Sequence, residues 1–403
     1  MTEVLYVHHR PELGGAAGAL ARLIEKLDRD RFRPHVYTPP GPAARQFAEA
    51  GATVHVGPAA AFTHVWSATY HGVRWTLLGR EAARLPGHLL RMRSLLRENR
   101  FGLVHLNDSP LLPAAGLARG HGLPIVWHLR SALPDGGLDR RSRGIRQRIA
   151  AAAAASIAIN GDVAAAFPGL RPEIVFDPVD LDRFRPGDAA AARARLGVPG
   201  GAGPVVGFLG YLYPAKGFRQ LIGAAGRLRT ARIEATFLLA GGGVLPSAYF
   251  RTAPGRALEL AGAYHDYERE ARRLAADLGV ADRVRFLPFT PDPAEVYRAS
   301  DVVAIPSQGP ELGLPALEAA ASGVPVVAAG SRTGAGVVLP DETGLLARDG
   351  SPEALADALA ELIADPARRR ALGEAARAHA ERHFSAGTSA RKVEAIYERV
   401  LSG

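Results

Sequence analysis

The sequence contains no cysteine, so it carries neither a disulfide framework nor a thiolate metal site. It has no long apolar run that would read as a membrane span. Met1–Val7 reads as a buried strand and lacks the cationic stretch and small-residue cleavage site of a secretory signal. These absences together lead us to expect a soluble cytoplasmic protein. Lysine is almost missing: Lys26, Lys216 and Lys392 are the only lysines among 49 basic residues. No Gly-x-Gly-x-x-Gly follows a strand, because Gly14, Gly15 and Gly18 have the wrong spacing, which argues against a nicotinamide dehydrogenase. The net charge of +9 attracts any anionic partner. No basic helix interleaved with aromatics accompanies it, so no nucleic-acid partner is expected.

What is present is an ordinary globular composition, 47% hydrophobic and 22% charged, over 403 residues. That length exceeds one core and suits two domains. Short apolar runs alternate with helical patterns: Val4–Val7, His35–Thr38, Thr53–Val56, Leu103–Leu106, Ile125–Leu129, Ser156–Ile159 and Ile174–Phe176. Leu20, Leu23, Ile24 and Leu27 form an apolar stripe between the first two. A Pro-, Gly- and Ala-rich stretch at Pro186–Pro204 reads as a linker holding one short helix, Ala189–Leu196. The alternation then restarts with Val205–Leu209, Thr236–Ala240, Val284–Leu287, Val302–Pro306 and Val324–Ala328. The pattern predicts two doubly wound parallel-sheet α/β domains, residues 1–184 and 185–380, facing a central cleft, with a helix at 381–403 packing back on the first domain. Residues 244–268 read as an inserted loop.

The most informative segment is Asp301–Ala329, DVVAIPSQGPELGLPALEAAASGVPVVAA. Pro315 suits a first helical turn, Gly323 the position past a helix end, and Pro325 prevents continuation. Gly313 and Leu314 therefore lie at a helix N-terminus, where free amides and the dipole favour an anion and a missing side chain lets a phosphate approach. Glu318, about one turn in, can accept hydrogen bonds from hydroxyls beside that phosphate. The plainer reading, a Gly-Pro loop with Glu318 supporting the helix start, fits the same residues.

The segment resembles the signature of the retaining glycosyltransferases of family 4, which have the GT-B fold: Pro-Ser after a strand, a Glu, Gly-Leu-Pro, a second Glu in an Ala-rich helix, then Gly-x-Pro-Val-Val. Val205–Leu228, with Lys216 before Gly217, is similar to the family's first C-domain strand, loop and helix, as are PVDLDRFRP at 178–186, FLLAGGG at 237–243 and TGLL at 343–346. In the N-terminal half ELGGA at 12–16 resembles the family's glycine loop, and His128 matches a histidine that meets the donor sugar. The resemblance implies a metal-independent, retaining hexosyltransferase that uses a UDP- or GDP-sugar as substrate and no cofactor. It implies Glu311 and His128 at the sugar, Lys216 and Gly217 at the diphosphate, Glu318 at the ribose, and Gly14, Gly15, Gly313 and Leu314 around the phosphates. It further implies cell-envelope or polysaccharide synthesis, with a lipid-linked or polysaccharide acceptor.

The chain departs from the family pattern in places. Six residues, not seven, separate Glu311 from Glu318. Tyr211 stands where an Arg is usual, and Gly336 where another Glu is expected. A nucleotide-sugar epimerase on the same fold and a non-catalytic nucleotide-binding scaffold are the alternative readings. Asp180 and Asp182 form an Asp-x-Asp in the interdomain passage, where no metal is implied. His8, His9, His105 and Asp108 end strands and are expected to line the cleft. Arg140, Arg141, Arg143, Arg146 and Arg148 predict a basic face for an anionic acceptor or a peripheral contact at the inner face of the membrane.

Overall fold

Runs of Val, Ile, Leu and Ala suit strands buried on both faces, and the chain uses them in two wholly parallel sheets. The computed structural model describes residues 1–62, 76–133, 140–199, 203–243, 245–290, 292–307, 313–329 and 336–403. The first sheet contains β1 (Thr2–Val7), β2 (Phe32–Thr38), β3 (Thr53–Val56), β4 (Leu103–Leu106), β5 (Ile125–Leu129), β6 (Ala155–Ala158) and β7 (Glu173–Ile174). Their spatial order is β3-β2-β1-β4-β5-β6-β7. The second contains β8 (Val205–Leu209), β9 (Thr236–Ala240), β10 (Val284–Leu287), β11 (Val302–Ile305), β12 (Val326–Ala329) and β13 (Gly344–Ala347), in the order β10-β9-β8-β11-β12-β13. Both are doubly wound, Rossmann-like sheets, as the alternation predicted. Strand β13, which pairs with β12, went unread because it is short and opens on a glycine.

The order reverses between β1 and β4 in one sheet and between β8 and β11 in the other. Doubly wound sheets bind ligands at the carboxyl ends of the strands flanking such a switch point.

The first unit comprises Met1–Pro178 and Ser385–Gly403, the second Val179–Phe384. In the first, the stripe of the helix Gly15–Glu25 is buried at Leu20, Leu23 and Ile24. Val393, Ile396 and Tyr397 of the terminal helix Ala386–Ser402 join the same core. Polar bonds fix that helix: Glu394 accepts from the Asp28 amide at 2.8 Å and Ser389 Oγ donates to the Phe176 carbonyl at 2.9 Å. The helix Arg140–Ala152 lays Ile145 and Ile149 inward. Arg146 lies on its own unit, where its guanidinium bonds the carbonyls of Ala166 and Leu133, so it is not part of an outward basic face.

The second unit begins before the Pro-rich stretch. The helix Ala189–Arg195 packs its Ala192 with Val296 and Ala299, and Arg193 bonds the Ala299 carbonyl and the Asp301 carboxylate. Residues 186–199 are thus packed structure within that unit. The segment at 244–268 contains a short helix, Ala253–Leu260, capped by Thr252, and is anchored by buried Phe250 and a Ser247–Asp266 hydrogen bond.

Candidate functional site

The second unit carries Lys216, Gly217, Gly313, Leu314 and Glu318 of the predicted donor residues around its switch point. After β8 the chain turns through Tyr211, which is 51% exposed, to a 3-10 turn at Pro214–Lys216. Gly217, with φ +78°, then starts the helix Phe218–Thr230. A Cβ on Gly217 would lie 1.8 Å from the Pro306 carbonyl oxygen, just beyond β11, so the two backbones meet only because this residue has no side chain. Ser307 Oγ donates to the Ala215 carbonyl at 3.1 Å and ties the same two loops. Lys216 is exposed beside this junction, with no ion pair among the described residues.

Across the crevice, Gly313 caps the helix Leu314–Ala321 with φ +68° and ψ −179°, a conformation open essentially to glycine alone. No side chain caps that end, so the amides of the first turn remain available to an anion. Glu318 sits half-buried one turn in, its Oε2 accepting from the Tyr297 hydroxyl at 2.9 Å. Burial, and after it the Glu318 carboxylate, push the Tyr297 phenol well above its usual range, so it remains a donor. Sequence reasoning missed Tyr297, because nothing local marks a partner 21 positions away. Glu311 lies outside the described residues.

The switch point of the first sheet is built differently. Gly14 and Gly15 open the helix Gly15–Glu25 after β1, exposed and without a side-chain cap. Behind them is a buried polar network: Asn107 bonds His8 Nδ1 at 3.0 Å, Arg130 donates to Asn107 Oδ1 at 3.1 Å, and Arg130 pairs with Asp177 at 2.5 Å. His128 stands in β5, 3% exposed, with Nδ1 3.2 Å from Nε2 of His105, whose Nδ1 lies 2.7 Å from the Tyr397 hydroxyl. Burial, reinforced by the Arg130 charge, holds both rings neutral, with His105 lowered to about 3 and His128 well below its ordinary value. His8 and His105, 1% and 0% exposed, are therefore interior residues, contrary to the cleft-lining position expected of them. The network escaped notice because Arg130 and Asp177 read as ordinary charges until folding brings them together across 47 positions.

Among the described residues no group of three His, Asp or Glu side chains could hold a metal ion. Asp180 of the Asp-x-Asp accepts from the amides of Asp182 and Arg183 and shapes a turn. No helix among the described residues is long and apolar enough to cross a membrane.

Comparisons with known proteins bear on the family and the fold. A family model described as glycosyl transferases group 1 matches residues 194–379, and one described as glycosyltransferase family 4 matches residues 13–183. A D-inositol 3-phosphate glycosyltransferase of Saccharomonospora viridis is 34% identical over 353 residues, covering 82% of this chain and 77% of that protein. A protein of the same name from Nocardia farcinica is 41% identical over 216 residues, 52% of this chain and 44% of that one. The chain spans 44 to 47% of the first curated relatives it matches. Among solved structures, Anabaena Alr3699/HepE in complex with UDP and glucose has a TM-score of 0.77 at 22% identity, covering 99% of this chain and 100% of that one. WaaG, described as a glycosyltransferase involved in lipopolysaccharide biosynthesis, has a TM-score of 0.66 at 17% identity, covering 100% of both chains. At these identities the likeness to the two structures is one of fold.

Proposed function

The chain belongs to the family 4 glycosyltransferases, of GT-B fold, and from that premise we propose that it moves a hexose from a UDP- or GDP-sugar to an acceptor, with retention and without a metal ion. The observation that supports this reading is the junction of Gly217 with Pro306, which holds the loop carrying Lys216 against the end of β11, in the unit that also carries the open helix end at Gly313. As the bond from the anomeric carbon to the diphosphate oxygen breaks, negative charge grows on the diphosphate. A point charge and oriented amides in that unit stabilise it more in the transition state than in the bound donor. They supply the positive field for which other transferases use a cation. Glu318, whose Oε2 accepts from Tyr297, is the carboxylate this reading assigns to the ribose hydroxyls. The family resemblance is what assigns His128, next to last in β5 and buried, to the sugar.

Anabaena HepE with bound UDP and glucose makes UDP-glucose the first donor to test. The relatives named D-inositol 3-phosphate glycosyltransferase make a phosphorylated polyol the first acceptor. A thermal-shift screen of nucleotide sugars tests the donor directly, since a ligand at 100 times its Kd stabilises by about 2.7 kcal/mol. Stabilisation by one UDP- or GDP-sugar, followed by product of unchanged anomeric configuration, is the expected result. Hydrolysis to free nucleotide with no acceptor requirement would instead favour an epimerase. Binding without turnover over a full acceptor panel would favour the scaffold reading.

A further inference from the structure

The helix Pro293–Ala299 of the second unit divides its buried side chains between two neighbours. Val296 and Ala299 pack with Ala192 of the helix Ala189–Arg195. Tyr297 instead meets the ring of Phe184 edge-on at 5.8 Å and reaches the helix Leu314–Ala321. Its ring is 0% exposed yet ends in a polar atom, and a buried hydroxyl without a partner is disfavoured. The partner is Glu318 Oε2, 2.9 Å away. A carboxylate has no hydrogen to give, so the tyrosine donates. The phenol, pushed well above its ordinary range by burial and then by the Glu318 carboxylate, keeps the proton it donates.

Glu318 itself is only half-buried, one turn inside the helix end at Gly313 whose amides have no side-chain cap. A glutamate has three rotatable bonds, and a partly exposed one ordinarily turns its carboxylate among several directions. Here the direction is set by a hydroxyl on a ring that packing holds still. The tyrosine occupies one of about four acceptor positions of the carboxylate, so the group it aims can still receive hydroxyl hydrogens. An acceptor fixed beforehand loses little freedom when a hydroxyl binds it. It is also left unmatched when that hydroxyl is missing, which is how a site rejects an analogue that lacks one.

We propose that Tyr297 is a positioning residue that makes the second unit select a ribonucleotide: by aiming the Glu318 carboxylate, it sets the preference for ribose over deoxyribose in the nucleotide part of the donor. The proposal rests on the assignment of Glu318 to the ribose hydroxyls. Tyr297 touches no substrate and acts only through the carboxylate it holds. Without its hydroxyl the carboxylate turns toward water, and the ribose loses an acceptor that was already in place.

The test is calorimetric titration of the full chain with UDP, or with GDP if UDP does not bind, and with the 2′-deoxy and 3′-deoxy analogues of that nucleotide. The parent, Glu318→Ala and Tyr297→Phe are compared. The parent should bind the ribonucleotide roughly tenfold or more tightly than at least one analogue, the worth of a hydrogen bond to a charged group. Tyr297→Phe should bind the ribonucleotide roughly tenfold more weakly and that analogue about as well as the parent does, so that the preference disappears. A merely structural loss weakens all of the nucleotides alike, and that outcome overturns the proposal. So does a Tyr297→Phe variant that keeps the parent's preference where Glu318→Ala has lost it, and the ribose assignment of Glu318 then stands. A parent that binds neither UDP nor GDP, a parent without preference, or a Glu318→Ala variant that retains it overturns the ribose assignment, and the proposal falls with it. If Tyr297→Phe does not fold, Tyr297→Met, which also lacks the hydroxyl but flexes to fill the space, is read in the same way.

Discussion

The two units share a topology and fill their switch points in opposite ways. In the second, the crevice between β8 and β11 is made of backbone: Gly217 against the Pro306 carbonyl, an uncapped helix end at Gly313, and a single exposed lysine. In the first, the equivalent place between β1 and β4 is filled by side chains, with His8, Asn107, Arg130 and Asp177 bonded to one another out of water. Backbone amides suit an anion of fixed shape, because their direction is set by the helix and costs no reorganisation. A buried side-chain network sets protonation and orientation, and is sensitive to the loss of any one member. The same fold thus presents open backbone donors at one switch point and a buried side-chain network at the other.

The largest effect should come from the open switch point of the second unit. Lys216→Ala removes charge stabilisation that grows as the diphosphate leaves, and should lower kcat by roughly 10²- to 10³-fold. Lys216 has no ion pair among the described residues, so the melting temperature should hardly move. A variant with parental kcat would show that the proposed site works without its lysine.

Gly217→Ala tests the close approach of the two loops. The added Cβ would stand 1.8 Å from the Pro306 oxygen at a positive φ, so backbone has to shift, at a cost of about 2 to 3 kcal/mol of stability. Denaturant unfolding should show that loss together with loss of donor-induced stabilisation. Retention of both would mean that the junction does not hold the site.

Acid should separate the units. His8 and His105 are each lowered to about 3, and His128 well below its ordinary value, all chiefly by burial, while the unfolded chain protonates near 6.5. The unfolded chain then binds more protons than the folded one across that window, so stability is lost as pH falls below about 6.5. The slope is about 1.4 kcal/mol per pH unit for each such histidine. Trp66, Trp75 and Trp127 all precede residue 179, so tryptophan emission reports the first unit alone. On lowering the pH that emission should change before the helical circular dichroism of the whole chain collapses. Coincident transitions would remove the distinction.

The smallest expected effect is that of EDTA. Turnover with the identified donor should be unaltered, because in the proposed mechanism the helix amides and Lys216 take the place of a cation. Abolition of activity, restored by magnesium or manganese, would overturn the comparison at its root.

Much of this was legible in residue order. Apolar runs gave most strands within a residue or two, and Pro315, Gly323 and Pro325 bounded the helix Leu314–Ala321 because caps and breakers act within one turn of chain. The rarity of lysine drew attention to Lys216. The buried histidine chain was not legible. Tyr397 meets His105 across 292 positions, and the residues around Tyr397 read as an ordinary amphipathic helix. Arg130 likewise read as one arginine among many until Asp177 and Asn107 closed around it.

The sequence by itself determined the local conformations: two parallel alternations, the helix ends, and the glycines whose missing side chains let the chain turn. Each depends on interactions spanning a few residues, which spacing and residue type encode. Only the tertiary structure decided that Gly217 touches Pro306, that Tyr297 holds Glu318, and that the last helix returns a hydroxyl to a histidine of the first sheet. Such contacts depend on how packed layers bring distant segments together, and no local pattern carries that information.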